Sequence, residues 1–396
     1  MIRHLLKLVW NRKRANALIV AEIFVSFLVV FGVMTGAITL ATQWNRPLGY
    51  EWRDIWDVRI EIDLEPERRN GAELRETLLR MEREVETLPE VESAAIARTP
   101  PYALSTAEHI RFVNGRSVTW MSDEVSDGFL ETMQLRVVRG RWFDRSDDGA
   151  QHRPVVLDSN AARATWDDAD PIGKTIEDGE GVFLRVVGVV EEFRKDGETA
   201  LPRNMIFHRF TTTPVDAGGG SHLLVRLRPG TDAAFEETLL ATLQGIAPDL
   251  TFRVRPMDQM RQRSIRMILM PLVTAGIVAL FLVSMVALGL TGVLWQNVTR
   301  RTREIGVRRA LGATGGDVYG QVLGEVVVLT SLALALCAGV VLQLPILGIF
   351  RVVPPGLFTV GLVGALAAIY VLTLLCALYP SWLASRLQPA DALRYE

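Results

Sequence analysis

The chain has 396 residues, 49% of them hydrophobic and 22% charged, with a formal net charge of −2. The charge fraction is ordinary for a soluble protein, yet the mean hydropathy is positive, so the apolar residues must be gathered into blocks. They form charge-free runs at 23–43, 267–299, 326–350 and 352–385, each longer than the ~20 residues a helix needs to cross a ~30 Å hydrocarbon core. This excludes a soluble globular enzyme and a disordered or collagen-like chain.

Residues 1–16 carry Arg3, Lys7, Arg12, Lys13 and Arg14, with no acid before Glu22. A first transmembrane helix is expected over 17–42. A basic start before an apolar stretch also fits a signal peptide, but a signal h-region is ~7–15 residues, so this longer run reads as an uncleaved anchor. Glu22 and, further on, Glu325 are intramembrane acids and therefore functional candidates. Both lie within a turn or two of a cytoplasmic end, where a carboxylate can snorkel, which favours a structural role over a proton relay. Gly32 and Gly36 form a G-x-x-x-G pair, a candidate close helix contact.

Residues 43–266 hold 30 Lys and Arg against 39 Asp and Glu and read as one large polar domain. Residues 57–64 (DVRIEIDL) alternate as a half-buried strand. A helix over 72–87 follows, with Leu74, Leu78, Met81, Val85 and Leu88 at helical spacing. Pro89 stops it before a strand at 91–97. The pattern recurs as a strand at 222–227, a helix at 233–246, Pro248 and a strand at 251–255. Two strand–helix–strand units predict a ferredoxin-like split α+β fold. A second subdomain, about 100–220, is inserted between them, with strands at 155–157 and 183–190.

Apparent chemical motifs in this region fail on their spacing. Gly173-Lys174-Thr175 ends like a phosphate-binding loop, but Asp168 stands where that loop needs glycine, so a β-turn lysine is expected. His4, His109, His152, His208 and His222 are scattered without a metal-site spacing, and no serine occupies a nucleophile elbow. Asp147-Asp148 and Glu191-Glu192 read as turns or solvated faces. Basic residues are matched by acids, so nucleic acid is not an expected partner. No catalytic constellation emerges, and no cofactor or metal is expected in this chain.

The second span is expected at 267–299, followed by a loop at 300–317, spans at 318–350 and 352–385, and a tail at 386–396. Cys337 and Cys376 both lie in apolar runs, so no disulfide framework is expected. The loop carries Arg300, Arg301, Arg303, Arg308 and Arg309 against Glu304 and Asp317. Under the positive-inside rule it and the N-terminus face the cytoplasm, which places the polar domain outside. Ile305, Arg308, Arg309 and Gly312 recur at three- and four-residue spacings, as in a short amphipathic helix. Such a helix either lies on lipid phosphates or packs against another protein through Gly306 and Gly312; these residues alone leave both readings open.

The chain resembles the FtsX-like permeases of MacB-type ABC transporters. The resemblance runs through QNVTRRTREIGVRRALGATGGDVYGQVLGE (296–325) and YPSWLASRLQPADALRYE (379–396). It extends to VSDGFLETMQLRVVRGRWF (125–143) and DPIGKTIEDGEGVFLRVVGVV (170–190). It implies a four-helix membrane protein with a large α+β extracytoplasmic core domain in a bacterial inner membrane. It also implies that Arg301, Glu304, Ile305, Gly306, Arg308, Arg309 and Gly312 belong to a coupling helix that docks on an ATPase, with the tail nearby. MacB itself carries a fused nucleotide-binding domain; here 16 residues precede Ala17 and there is no Walker sequence, so ATP and magnesium are expected in a separate ATPase subunit. The resemblance further implies a second permease copy or paralogue, and an adaptor with an outer-membrane duct if the system is an efflux pump. Other members suggest different roles: activation of an envelope enzyme, as in FtsX, or lipoprotein extraction, as in LolC and LolE.

Overall fold

The structure is a computed structural model that describes residues 13–61, 71–103, 108–113, 116–177, 183–211, 221–300, 307, 310–348 and 353–385. It divides into two compact units, Gln43–Ile268 and the helical segments on either side of it in sequence.

The first unit is built on strands β1 (Ile55–Glu61), β2 (Val91–Ala97), β10 (Ser221–Leu227) and β11 (Thr251–Pro256), with helices α2 (Gly71–Val85) and α5 (Phe235–Ile246). The strand order β11-β1-β10-β2 is antiparallel throughout, the arrangement of a split β-α-β fold. Leu78, Met81 and Val85 of α2 are buried with Leu239 and Leu243 of α5 against Val58, Ile60, Leu223 and Val225, so the helical spacing in the sequence marks the face laid on the sheet. β1 begins at Ile55, and residues 62–64 of the expected strand lie outside the described residues.

One polar position departs from simple alternation. Asp57 is fully buried rather than solvent-facing. Its carboxylate pairs with His222 Nδ1 at 2.6 Å and accepts from Arg255 Nη2 at 3.1 Å. A buried carboxylate is tolerated only with such partners, and they come from the two strands that flank β1.

The intervening residues extend this sheet instead of forming a separate one. β2 meets β4 (Arg116–Val125) through the single ladder pair Ala97–Val125. Beyond β4 lie β9 (Met205–Arg209), β6 (Arg153–Asp158), β8 (Phe183–Val190) and β5 (Val137–Gly140). β3 (Glu108–Val113) pairs with β4, and β7 (Thr175–Glu177) with β8. Helix α3 (Phe129–Thr132) precedes β5, and α4 (Ser159–Trp166) is capped by Asp158. An aromatic core of Tyr50, Tyr102, Phe129, Trp142, Phe193 and Phe207 covers the sheet face opposite α2 and α5, with Phe193 edge-on to Phe207 at 5.2 Å.

The helical unit contains α1 (Lys13–Trp44), the apolar part of α6 (Met257–Arg300), α7 (Gly315–Val341) and α8 (Pro355–Ser385). All four helices are long and apolar enough to cross a membrane. Ile23, Phe27 and Phe31 pack with Val286, Leu290, Ala333, Cys337 and Ile369, and Phe31 meets Phe358 edge-on at 5.4 Å. α6 starts ten residues before the charge-free run, because its opening MDQMRQRSIR is polar but helix-forming. α7 ends at Val341 rather than near 350; Pro345 and the positive φ of Gly348 turn the chain out of helix.

Candidate functional site

The connection between α6 and α7 ends in a well-defined start to α7. Thr314 and Asp317 form a reciprocal capping box: Thr314 N donates to Asp317 Oδ2 at 2.8 Å, and Asp317 N donates to Thr314 Oγ1 at 3.3 Å. This pairing satisfies backbone donors that a helix start otherwise leaves open. Gly312 has φ +100°, and just before it Val307 and Leu311 are 43% and 83% exposed. Leu311 N donates to Val307 O at 3.0 Å, so the two side chains lie one helical turn apart. Arg301, Glu304, Ile305, Gly306, Arg308 and Arg309 lie outside the described residues.

Of the two acids expected within the spans, Glu22 lies against α6: a Cβ at Gly289 would stand 2.9 Å from Glu22 Oε2. Glu325 is half-buried on α7. Within the chain, only the second glycine of the G-x-x-x-G pair faces a neighbouring helix closely, Gly36 against Leu272 of α6. Nothing lies within 4 Å of a Cβ at Gly32, and one at Gly36 meets only the Leu272 side chain. A closer approach of α1 is to Gly361 of α8, where a Cβ would fall 2.2 Å from Thr35 Oγ1 and 3.2 Å from its Cα. Small residues act here across two helices, where no single-helix motif reports them.

The polar unit holds an open cleft of about 950 Å³ between α2 and the extension of the sheet. Glu76, Glu82 and Glu86 line one wall; Arg145, Arg153 and Arg209 line the other. Glu82 is nearly buried and accepts from the Ser126 hydroxyl. Burial pushes its carboxyl up to about 8, with nearby Glu86 and Asp127 adding to the rise against the pull of the Ser126 bond. Arg209 is bidentate to Asp127 at 2.7 and 2.8 Å and reaches Asp148 at 2.5 Å. Asp147 is bidentate to Arg141 at 2.7 and 2.6 Å. The Asp147-Asp148 turn is therefore ion-paired, not simply solvated. Lys174 sits in a turn closed by its N–H to Pro171 O, with its amine over the Trp166 ring.

The fold and these features describe a membrane protein with a mixed α/β polar domain. A model of the MacB-like periplasmic core domain matches residues 17–241, and one of the FtsX-like permease C-terminal domain matches 276–389. The chain belongs to this family, the FtsX-like permeases of MacB-type ABC transporters. It is 28% identical over 340 residues to the ABC transporter permease YvrN of Bacillus subtilis, covering 76% of this chain and 81% of that one. It is 26% identical over 328 residues to the macrolide export ATP-binding/permease protein MacB of Pasteurella multocida, covering 79% of this chain. It spans about half (49%) of that relative's length. Among solved structures, the periplasmic region of MacB from Actinobacillus actinomycetemcomitans aligns with TM-score 0.38 and 16% identity, covering 56% of this chain and 97% of that one. The extracellular domain of the transporter YknZ aligns with TM-score 0.35 and 14% identity, covering 50% and 99%.

Proposed function

We propose that this permease is driven by an ATPase carried on a separate chain, in a bacterial inner membrane. Two permease chains, identical or paralogous, share the assembly. The segment 301–312 is the coupling element: Glu304, Gly306, Arg308 and Gly312 meet the ATPase, with Arg301, Ile305 and Arg309 on the same short stretch. ATP and magnesium are held by that ATPase. Its closure moves the coupling segments and the spans, and the polar domain outside changes shape to drive export across the envelope. An adaptor and an outer-membrane duct complete the path where the envelope has two membranes.

The observation that carries this reading is the exposed apolar pair Val307 and Leu311 beside Gly312, within a strongly basic connection. Apolar side chains exposed at that level, outside the runs that fill the bilayer, fit a protein surface better than water. A relative named for macrolide export supports export as the class of activity.

Copurification with the partner ATPase, together with its ATPase rate in nanodiscs, tests the proposal. Glu304→Lys reverses a charge, and Gly306→Leu adds bulk at an expected close contact. Burying an unpaired charge or overpacking a contact costs on the order of 1–3 kcal/mol, so both variants should lose association about tenfold or more while still inserting normally. Wild-type association and stimulation in both would reduce the segment to a lipid-facing basic helix.

A further inference from the structure

The polar unit contains a second set of contacts whose arrangement has a mechanical meaning. Its centre is Arg194, 3% exposed, in the loop that joins β8 to β9. Arg194 Nη1 donates to Gln43 O at 3.0 Å and Arg46 O at 3.2 Å, the residues that close and follow α1. Its Nη2 donates to Glu198 O at 3.2 Å and Ala200 O at 2.8 Å within its own loop. Its backbone N donates to Leu48 O at 2.9 Å. The Tyr50 hydroxyl returns a bond to Arg194 O at 3.3 Å.

The same loop grips the other chain segment that adjoins a span. Glu198 Oε1 accepts from Arg261 Nε at 2.6 Å. Arg261 lies in the first turns of α6, with its guanidinium 4.6 Å from the Trp52 ring centroid. Met257 and Met260 are buried in the same aromatic core as Phe193.

The loop itself is fixed at both ends and in its middle. Asp158 accepts from Phe193 N at 3.4 Å and Met205 N at 3.0 Å. Lys195 is paired with Asp123 at 2.9 Å, both nearly fully buried. Gly197, at φ +83°, leaves the space taken by the Tyr102 ring, whose Cε1 would stand 2.3 Å from a Cβ there. Gly49, at φ +81°, likewise lies where a Cβ would strike Glu192 O. Each glycine combines a backbone conformation unfavourable for other residues with a contact that excludes a side chain.

The consequence lies in the connectivity. The ferredoxin-like half is tied to both span-adjoining segments by the chain itself, since β1 follows one and β11 precedes the other. The extension of the sheet adjoins no span in the chain. It meets that half through the ladder pair Ala97–Val125, the Arg75–Glu124 ion pair and the Arg226 bond to Thr132 O. It meets the segment after α1 through Glu51 N to Met133 O at 3.0 Å as well as through the loop contacts above. We propose that the 193–203 loop, through Arg194 and Glu198, is a lock that makes the extension move with the segments leaving α1 and entering α6. The proposal rests on the reading that nucleotide-driven motion reaches this domain. Arg194 and Glu198 are positioning residues: they transmit displacement and touch no substrate.

The test uses the full chain with its partner ATPase in nanodiscs. Cys337 and Cys376 are replaced by alanine, and spin labels are placed through Gly356→Cys at the start of α8 and Asp168→Cys after α4, both exposed positions, so that their separation reports motion of the extension relative to the spans. The label separation is measured by pulsed electron resonance without nucleotide and with a trapped ATP analogue. The wild-type background should show a nucleotide-dependent shift. Arg194→Lys, which puts a compact ammonium in place of the planar fork, and Glu198→Gln should each lose at least half of that shift. The nucleotide-free distance and ATPase association should stay as in wild type, which loss of structure would not allow. If Arg194→Lys broadens the resting distance, Glu198→Gln decides, because it keeps the side-chain shape. A full shift in Glu198→Gln overturns the lock. No shift in the wild-type background removes the coupling reading itself, and the lock with it.

Discussion

Glu82 shows how a single side chain can link the domain's stability to pH. It sits on a helix crowded with acids, yet it alone is buried against Ser126 at the base of the cleft. Burial, which penalises the charged form, pushes its carboxyl in the folded domain from the ordinary 4.5 up to about 8. The folded state therefore binds more protons than the unfolded chain between these values, and stability falls as pH rises from about 4.5 through about 8. Asp158, raised to about 7 by burial, acts in the same direction. In urea unfolding of fragment 47–264, Glu82→Gln should leave stability near pH 4.5 unchanged and raise it by roughly 2–5 kcal/mol at pH 8.5. Equal effects at both pH values would mean that the carboxyl ionises normally in the fold.

At the level of elements, the parts written in local spacing were legible. Leu78, Met81 and Val85 mark the buried face of α2, and the recurrence of strand, helix and strand predicts the split fold that the β11-β1-β10-β2 order displays. What depends on distant partners was not legible. Asp57 looked like the polar phase of an alternating strand, because its partners His222 and Arg255 are 165 and 198 residues away. Arg194, Glu198 and Arg261 carry no local signal for the same reason, and Glu82 is one acid among several on a charged helix. The helix contact at Gly361 leaves no local signal because its other half, Thr35, belongs to α1. A methyl group at Gly361 must displace Thr35, including its backbone, whereas one at Gly32 meets nothing. Gly361→Ala should therefore lower the unfolding temperature of the full chain in detergent, at a cost of about 1–3 kcal/mol, and Gly32→Ala should leave it unchanged. The reverse ranking would restore the G-x-x-x-G pair as the principal contact of α1.

At the scale of the whole molecule, coupling requires that the polar domain and the basic connection lie on opposite sides of one membrane. The proposal places them so from the four apolar helices and the distribution of Lys and Arg. The most direct measurement is thiol accessibility in intact spheroplasts, with Cys337 and Cys376 replaced by alanine. Single cysteines are introduced by Asp168→Cys, an exposed site in the polar domain, and by Gly315→Cys, at the start of α7. A membrane-impermeant maleimide should label position 168 directly and position 315 only after the membrane is opened. Labelling of 315 but not 168 in intact spheroplasts, or of both, would contradict the account, because no cytoplasmic ATPase could then reach the segment proposed to receive its motion.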